Sequence, residues 1–222
     1  MSSIAVRQHT FDVGPLPFSH NFLVLYDDAG KVVAELHGWA FDPNTGKRYR
    51  GAIGRSSHNL EAFERNGKFL YDDGQAEKTF WQGPESDAMV RWQAAKDALA
   101  EVNNRKLTYN LWGSDLNGPR DWDAPPPAVI AGNSNSVNRT AIDAMGLRLP
   151  SMPTMAPGTE NELLPQSLID QIQSQQRHSA DTARRLVLGT TWRRETDESI
   201  PDPALHVHGE RLPHRCLRFV LQ

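Results

Sequence analysis

His20-Asn21-Phe22-Leu23-Val24-Leu25-Tyr26, then Asp27-Asp28-Ala29-Gly30, then Lys31-Val32-Val33-Ala34-Glu35-Leu36-His37: two apolar, β-branched runs flank four turn-forming residues. The pattern predicts an antiparallel β-hairpin. Its register decides which side chains meet. With Asp28-Ala29 as the loop, His20 lies directly opposite His37. With Ala29-Gly30 as the loop, the two histidines are staggered by two residues on one face, still neighbours. Either way His20, Phe22, Val24, Glu35 and His37 share one face, and Leu23, Leu25, Val32, Ala34 and Leu36 share the other. The second face is the natural core. The first is mixed, as the wall of a site would be.

Outward from the hairpin, Trp39 to Phe80 is punctuated by turn residues around short expected strands near 60–63 and 68–71. Glu85-Ser86-Asp87 leads into an expected helix over 88–103, where Met89, Trp92, Ala95, Ala98, Leu99 and Val102 recur at helical spacing. A short strand over 107–111 and a long loop over 115–127 follow. Asn133-Ser134-Asn135-Ser136 then opens a helix over 137–145, with Gly146 at its C′ position. Residues 149–161 form a Pro/Met/Thr linker, 163–188 a polar helix with apolar points at Leu164, Leu168, Ile172 and Leu186, and 216–221 a terminal strand. The reading is an α+β fold in which an antiparallel sheet with its N-terminal hairpin packs on helices. Residues 1–150 are expected to form the principal domain, and 151–222 a linker, helix and strand packed on it or appended to it.

At 222 residues the chain can bury a core without staples. Its single cysteine excludes a disulfide framework. With 24 Lys+Arg against 27 Asp+Glu and no basic block, no nucleic-acid partner is expected. No apolar run approaches a membrane span, and the first residues lack a secretory signal's layout, so the chain is expected to be cytoplasmic as synthesised.

Two features carry chemistry. A serine in the first turn of a helix sits among unpaired backbone N–H groups and the positive end of the dipole, a setting that stabilises an oxyanion. Ser and Asn are also the preferred N-caps, which gives Ser134 or Ser136 a purely structural use. Serine needs a base, and a histidine whose ordinary pKa lies near 6.5 suits that role. The hairpin supplies His20, with His37 or Glu35 close enough to orient it, a relay similar in logic to a Ser-His-Asp triad.

The order of these elements resembles the circularly permuted branch of the papain-like fold, which includes NlpC-like and lecithin-retinol acyltransferase-like hydrolases. Ser19-His20-Asn21-Phe22-Leu23-Val24, Glu35-Leu36-His37-Gly38 and Asn133-Ser134-Asn135-Ser136-Val137 carry the resemblance, which spans about residues 18–150. The layout of Glu35–Gly38, Tyr109-Asn110, Asn133–Ser136 and Met145-Gly146-Leu147 is also similar to that of bacterial proteins of unassigned activity. The resemblance implies hydrolysis or acyl transfer at an amide or ester bond, with Ser134 as nucleophile where the family usually has cysteine. His20 becomes the base and His37 the orienting group. Asn133, Ser136, Glu35, Tyr109 and Trp39 are placed around the substrate, Ser136 also as reserve nucleophile. No cofactor is implied. The implied substrates are a peptide or peptidoglycan fragment and, second, an acyl or lipid ester. An effector role, with export by a dedicated secretion system and an inhibitor or delivery factor as partner, follows by analogy.

Two alternatives stand beside this reading. A non-catalytic binding module would use the same fold with Asn133–Ser136 only capping the helix. A zinc site would draw on His206, His208, His214 and Cys216. Asp115 to Asp123 hints at a calcium loop but lacks the closing Glu. The tryptophans at 39, 81, 92, 112 and 122 read as core or cleft walls.

Overall fold

The hairpin forms as β2 (Leu16–Tyr26) and β3 (Val32–Phe41). The structure, a computed structural model, describes residues 1–13, 16–50, 54–111 and 131–197, with 12, 13, 16 and 183–197 as backbone alone. In the turn, the Asp27 carboxylate accepts from the Ala29 and Lys31 amides, and Gly30 takes φ +76°, which glycine adopts without a Cβ penalty. A bulge then leaves Val33 without a partner on β2, and pairing resumes as Leu25↔Ala34, Val24↔Glu35 and Leu23↔Leu36. The directly opposed His20/His37 register is therefore corrected to the staggered one. The bulge is the physical reason. It also carries Val32 onto the histidine face, where it packs with Phe22, Val24 and Tyr26, and leaves Val33 exposed.

A strand that the sequence pattern does not announce, β1 (Ser2–Val13), pairs with β2 along its length and sets His9 opposite His20. Its alternation is obscured because Arg7 and Gln8 are buried but polar. Arg7 is held by Glu77 and the Tyr26 hydroxyl, and Gln8 by Ser19, Asn21 and Thr154. β4 (Asn59–Asn66), β5 (Ala76–Gly83), β6 (Thr108–Tyr109) and β7 (Ala131–Gly132) complete a sheet of order β5-β1-β2-β3-β4-β6-β7. β6 and β7 run parallel, so the expected antiparallel sheet is in fact mixed. The strand expected over 107–111 shrinks to two residues. No strand forms over 68–71, because the amides there converge on a carboxylate instead of alternating along a ladder.

Helix α1 (Glu85–Asn104) buries Ala88, Trp92, Ala95, Leu99 and Val102, while Met89 points outward. Helix α2 (Ser134–Ala144) ends at Gly146, whose φ is +70°. Both pack on the face carrying Ile4, Val6, Leu23, Ala34 and Leu36. Contacts divide the chain into Met1–Thr182 and Ala183–Gln222. Leu163 and Leu164, with Ile169 and Ile172 of α3 (Gln166–Asp197), lie in the main core, so residues 151–182 belong to the same unit as the hairpin. The expected loop over 115–127, the terminal strand, and His206, His208, His214 and Cys216 lie outside the described residues. Among the described residues no helix is long and apolar enough to cross a membrane, and no cluster of His, Cys, Asp and Glu could hold a metal.

β2 and β3 stop pairing beyond Leu23↔Leu36, and α2 fills the gap. The Asn21 amide donates to Asn135 Oδ1 at 2.8 Å, Asn135 Nδ2 donates to the Ser19 carbonyl at 3.0 Å, and Asn138 Nδ2 donates to the Asn21 carbonyl. Two side chains of the helix thus satisfy the strand edge that β3 has left, as buried backbone groups require. This brings the start of α2 to the histidine end of β2.

Candidate active site

The start of α2 is built so that Ser134 has no capping duty. Asn133 is the N-cap, and its Oδ1 accepts from the Asn135 and Ser136 amides at 2.9 and 3.0 Å. Its Nδ2 donates to the Leu111 and Pro157 carbonyls. Gly158, at φ +89°, allows the 149–161 segment to close over this amide, since a Cβ there would fall within 2.8 Å of the Asn133 side chain. Ser136 is fully buried and donates to the Gly158 carbonyl at 3.0 Å. Asn133 and Ser136 are therefore scaffold, and neither lines the cavity described next.

Ser134, the first helical residue, does line a cavity of about 300 Å³, together with His20, Tyr109 and Trp39. Its backbone N–H, like those of any helix start, has no intrahelical partner. The Tyr109 hydroxyl faces the Ser134 side chain and the Gly54 backbone, and both favour its ionised form. Burial raises the Tyr109 pKa against those two influences, so the phenol keeps its proton near neutral pH. Gly54 has to be glycine here, because a Cβ would collide with the Ala40 side chain and the Tyr109 ring.

Behind His20 runs a buried chain of hydrogen bonds. His20 Nε2 lies 3.3 Å from His37 Nδ1, with the ring planes parallel within 2°, and His37 Nε2 lies 2.9 Å from Glu35 Oε2. Glu35 is completely buried yet accepts from three successive amides: Phe69 at 2.8 Å, Leu70 at 2.9 Å and Tyr71 at 3.3 Å. Burial alone would raise its carboxyl pKa, but the bond from His37 and the Leu70 and Phe69 amides outweigh that and hold it below the ordinary value. An ionised Glu35 fixes every proton along the chain. His37 must donate from Nε2, so its Nδ1 accepts. His20 must then donate from Nε2, which leaves Nδ1 as the free basic nitrogen of the residue that lines the cavity. Burial, then His37, His9 and Arg48, keep His20 well below the ordinary histidine value, so it is neutral at pH 7. His37 is also held low, by burial against the opposing pull of Glu35. Trp39 closes the side, its ring centroid 4.8 Å from that of His20 and its indole N–H on the Tyr49 carbonyl at 2.8 Å.

The structure thus gathers His20, His37, Glu35, Ser134, Tyr109 and Trp39, with Glu35 as the chain's terminus and His37 as its middle member. Among the described residues no hydrogen bond joins Ser134 to His20, whose Nε2 is paired with His37. Five cavity residues escape the sequence reading: His9, Phe11, Ala40, Arg50 and Gly54. His9 and Phe11 would be found by extending the apolar run Ile4-Ala5-Val6 into a strand. Nothing local marks Arg50 or Gly54.

The buried neutral histidines make stability depend on pH. Below pH 6.5 the unfolded chain protonates both, while the folded chain resists, so stability falls as the pH drops, by about 1.4 kcal/mol per unit for each histidine until its folded pKa is reached. Asp143, pushed up to about 6 chiefly by burial, opposes one of them below that pH. The net expectation is a lower unfolding temperature at pH 5 than at pH 7.5 in thermal melts, and equal or higher stability at pH 5 would contradict the neutral assignment.

Comparison of the chain with models of protein families, with curated proteins and with solved structures finds no match.

Proposed function

We propose that this chain is a hydrolase or acyltransferase acting on an amide or ester bond through Ser134, on a fold of the permuted papain-like kind. The observation that carries the reading is that Ser134 and His20 line one cavity while His20 is backed by the His37–Glu35 chain. On substrate binding the Ser134 hydroxyl closes onto His20 Nδ1, a tightening common when a site fills. Its proton passes to Nδ1 as Oγ bonds to the substrate carbonyl carbon. The resulting oxyanion accepts from the Ser134 backbone N–H and the Tyr109 hydroxyl. His20, now cationic, is stabilised through His37 by the Glu35 carboxylate. It returns the proton to the leaving amine or alcohol as that bond breaks, leaving acyl-Ser134. Water, or an acceptor hydroxyl or amine, then attacks the ester with the same nitrogen as base.

The favoured substrate is a peptidoglycan peptide or another peptide amide, and a lipid ester is second; both come from the family resemblance. A binding module without turnover is the second reading, supported by His20 being paired with His37 and, among the described residues, not with Ser134.

Burst kinetics with p-nitrophenyl butyrate separates the two. The expected result is one equivalent of p-nitrophenol released rapidly by the native chain, and a fall in rate of about 10⁴-fold or more in Ser134→Ala. Equal rates in the two proteins would remove the nucleophile.

A further inference from the structure

The cavity holds a second chemistry that acyl transfer at Ser134 does not use. Arg50 and His9 line it beside the reacting groups, and both are exposed. Arg48 stands close by: its positive charge helps to lower His20, and its guanidinium lies 4.9 Å from the centre of the Trp39 ring. No Asp or Glu is among the lining residues. Among the described residues neither Arg48 nor Arg50 has a carboxylate partner. The chain as a whole carries a formal charge of −3, so this local excess of cations does not follow from composition. A guanidinium offers a planar fork of donors matched to an oxyanion, and near an aromatic-lined, partly enclosed cavity its attraction is screened less than on an open surface. The cavity is at the small end of ligand sites, so a group bound at Arg50 and a carbonyl at Ser134 fit within one small molecule.

We propose that the substrate carries an anionic group, a carboxylate or a phosphate, on the same molecule as the bond broken, and that Arg50 with His9 binds it. The scissile bond in this statement rests on the acyl-transfer reading; the anion site does not. An uncharged substrate leaves Arg50 idle. An anionic one gains a charge-assisted pair of about tenfold or more in affinity.

Calorimetric titration of Ser134→Ala, which retains the cavity but not the nucleophile, measures the anion site without turnover. The probes are succinanilate, phosphonoacetanilide and the uncharged butyranilide. At least one anion binds about tenfold or more tighter than butyranilide, and Arg50→Gln in the same background removes the difference while Arg50→Lys keeps part of it. The tighter of the two anions identifies the group. Equal affinities for all three probes, absence of binding included, or a preference that survives Arg50→Gln, overturn the proposal. In the native chain the ratio of kcat/KM between p-nitrophenyl hemisuccinate and p-nitrophenyl butyrate falls toward one in Arg50→Gln. A native chain that binds the anion but turns over neither ester leaves the anion site standing and removes the acyl-transfer reading alone.

Discussion

Glu35→Gln lowers kcat by about 10²–10⁴-fold, the range a positioned general base contributes, without a matching rise in KM. The carboxamide has one oxygen for the work of two. Kept at the Oε1 position, that oxygen still accepts from the Phe69 and Tyr71 amides and leaves only Leu70 unsatisfied. Placed at the Oε2 position it would leave two amides unsatisfied, so the first arrangement wins. Its NH₂ group then faces His37 Nε2, which must become an acceptor. The change propagates: His37 Nδ1 donates to His20 Nε2, and His20 carries its proton on Nδ1, where the base needs a lone pair. A buried donor without a partner costs about 1–3 kcal/mol, so the variant folds but melts lower. Steady-state ester kinetics beside a circular-dichroism melt checks both parts. A kcat within threefold of the native value, with the fold intact, contradicts the relay.

Gly38→Ala has the second large effect, through packing. Gly38 of β3 passes so close to the start of α2 that an added Cβ would lie 2.6 Å from Val137 Cγ2 and 3.0 Å from the Ser134 Cα. Helix and strand must separate. Overpacking of this kind costs about 1–3 kcal/mol. The shift also carries Ser134 away from His20, and a displacement of about 1 Å can cost 10²-fold in rate. Loss of both stability and turnover is expected, read by thermal unfolding and by ester hydrolysis. Native behaviour in both would mean that the close approach of strand and helix is not what sets the site.

The hairpin, α1 and the capped α2 were legible because each rests on local signals: β-branched runs around a turn, an apolar stripe at helical spacing, an Asn-Ser start and a glycine stop. The chain from His20 through His37 to Glu35 was half legible. The shared face follows from alternation, but the bulge at Val33 that selects the stagger has no sequence mark. The clamp on Glu35 was illegible, since Phe69-Leu70-Tyr71 has a strand's composition and only tertiary contact turns its amides onto one carboxylate. β1 escaped because Arg7 and Gln8 are buried through distant partners. The asparagines of α2 looked like caps. Only Asn133 caps; Asn135 and Asn138 replace a missing strand, a role set by the parting of β2 and β3.

The most direct measurement is covalent labelling of the full chain with a fluorophosphonate, the adduct located by peptide mass spectrometry. A single adduct on Ser134 is expected, formed by the native chain and by Ser136→Ala and not by His20→Ala. An adduct on another residue, labelling that persists without His20, or a folded chain that never labels would contradict it.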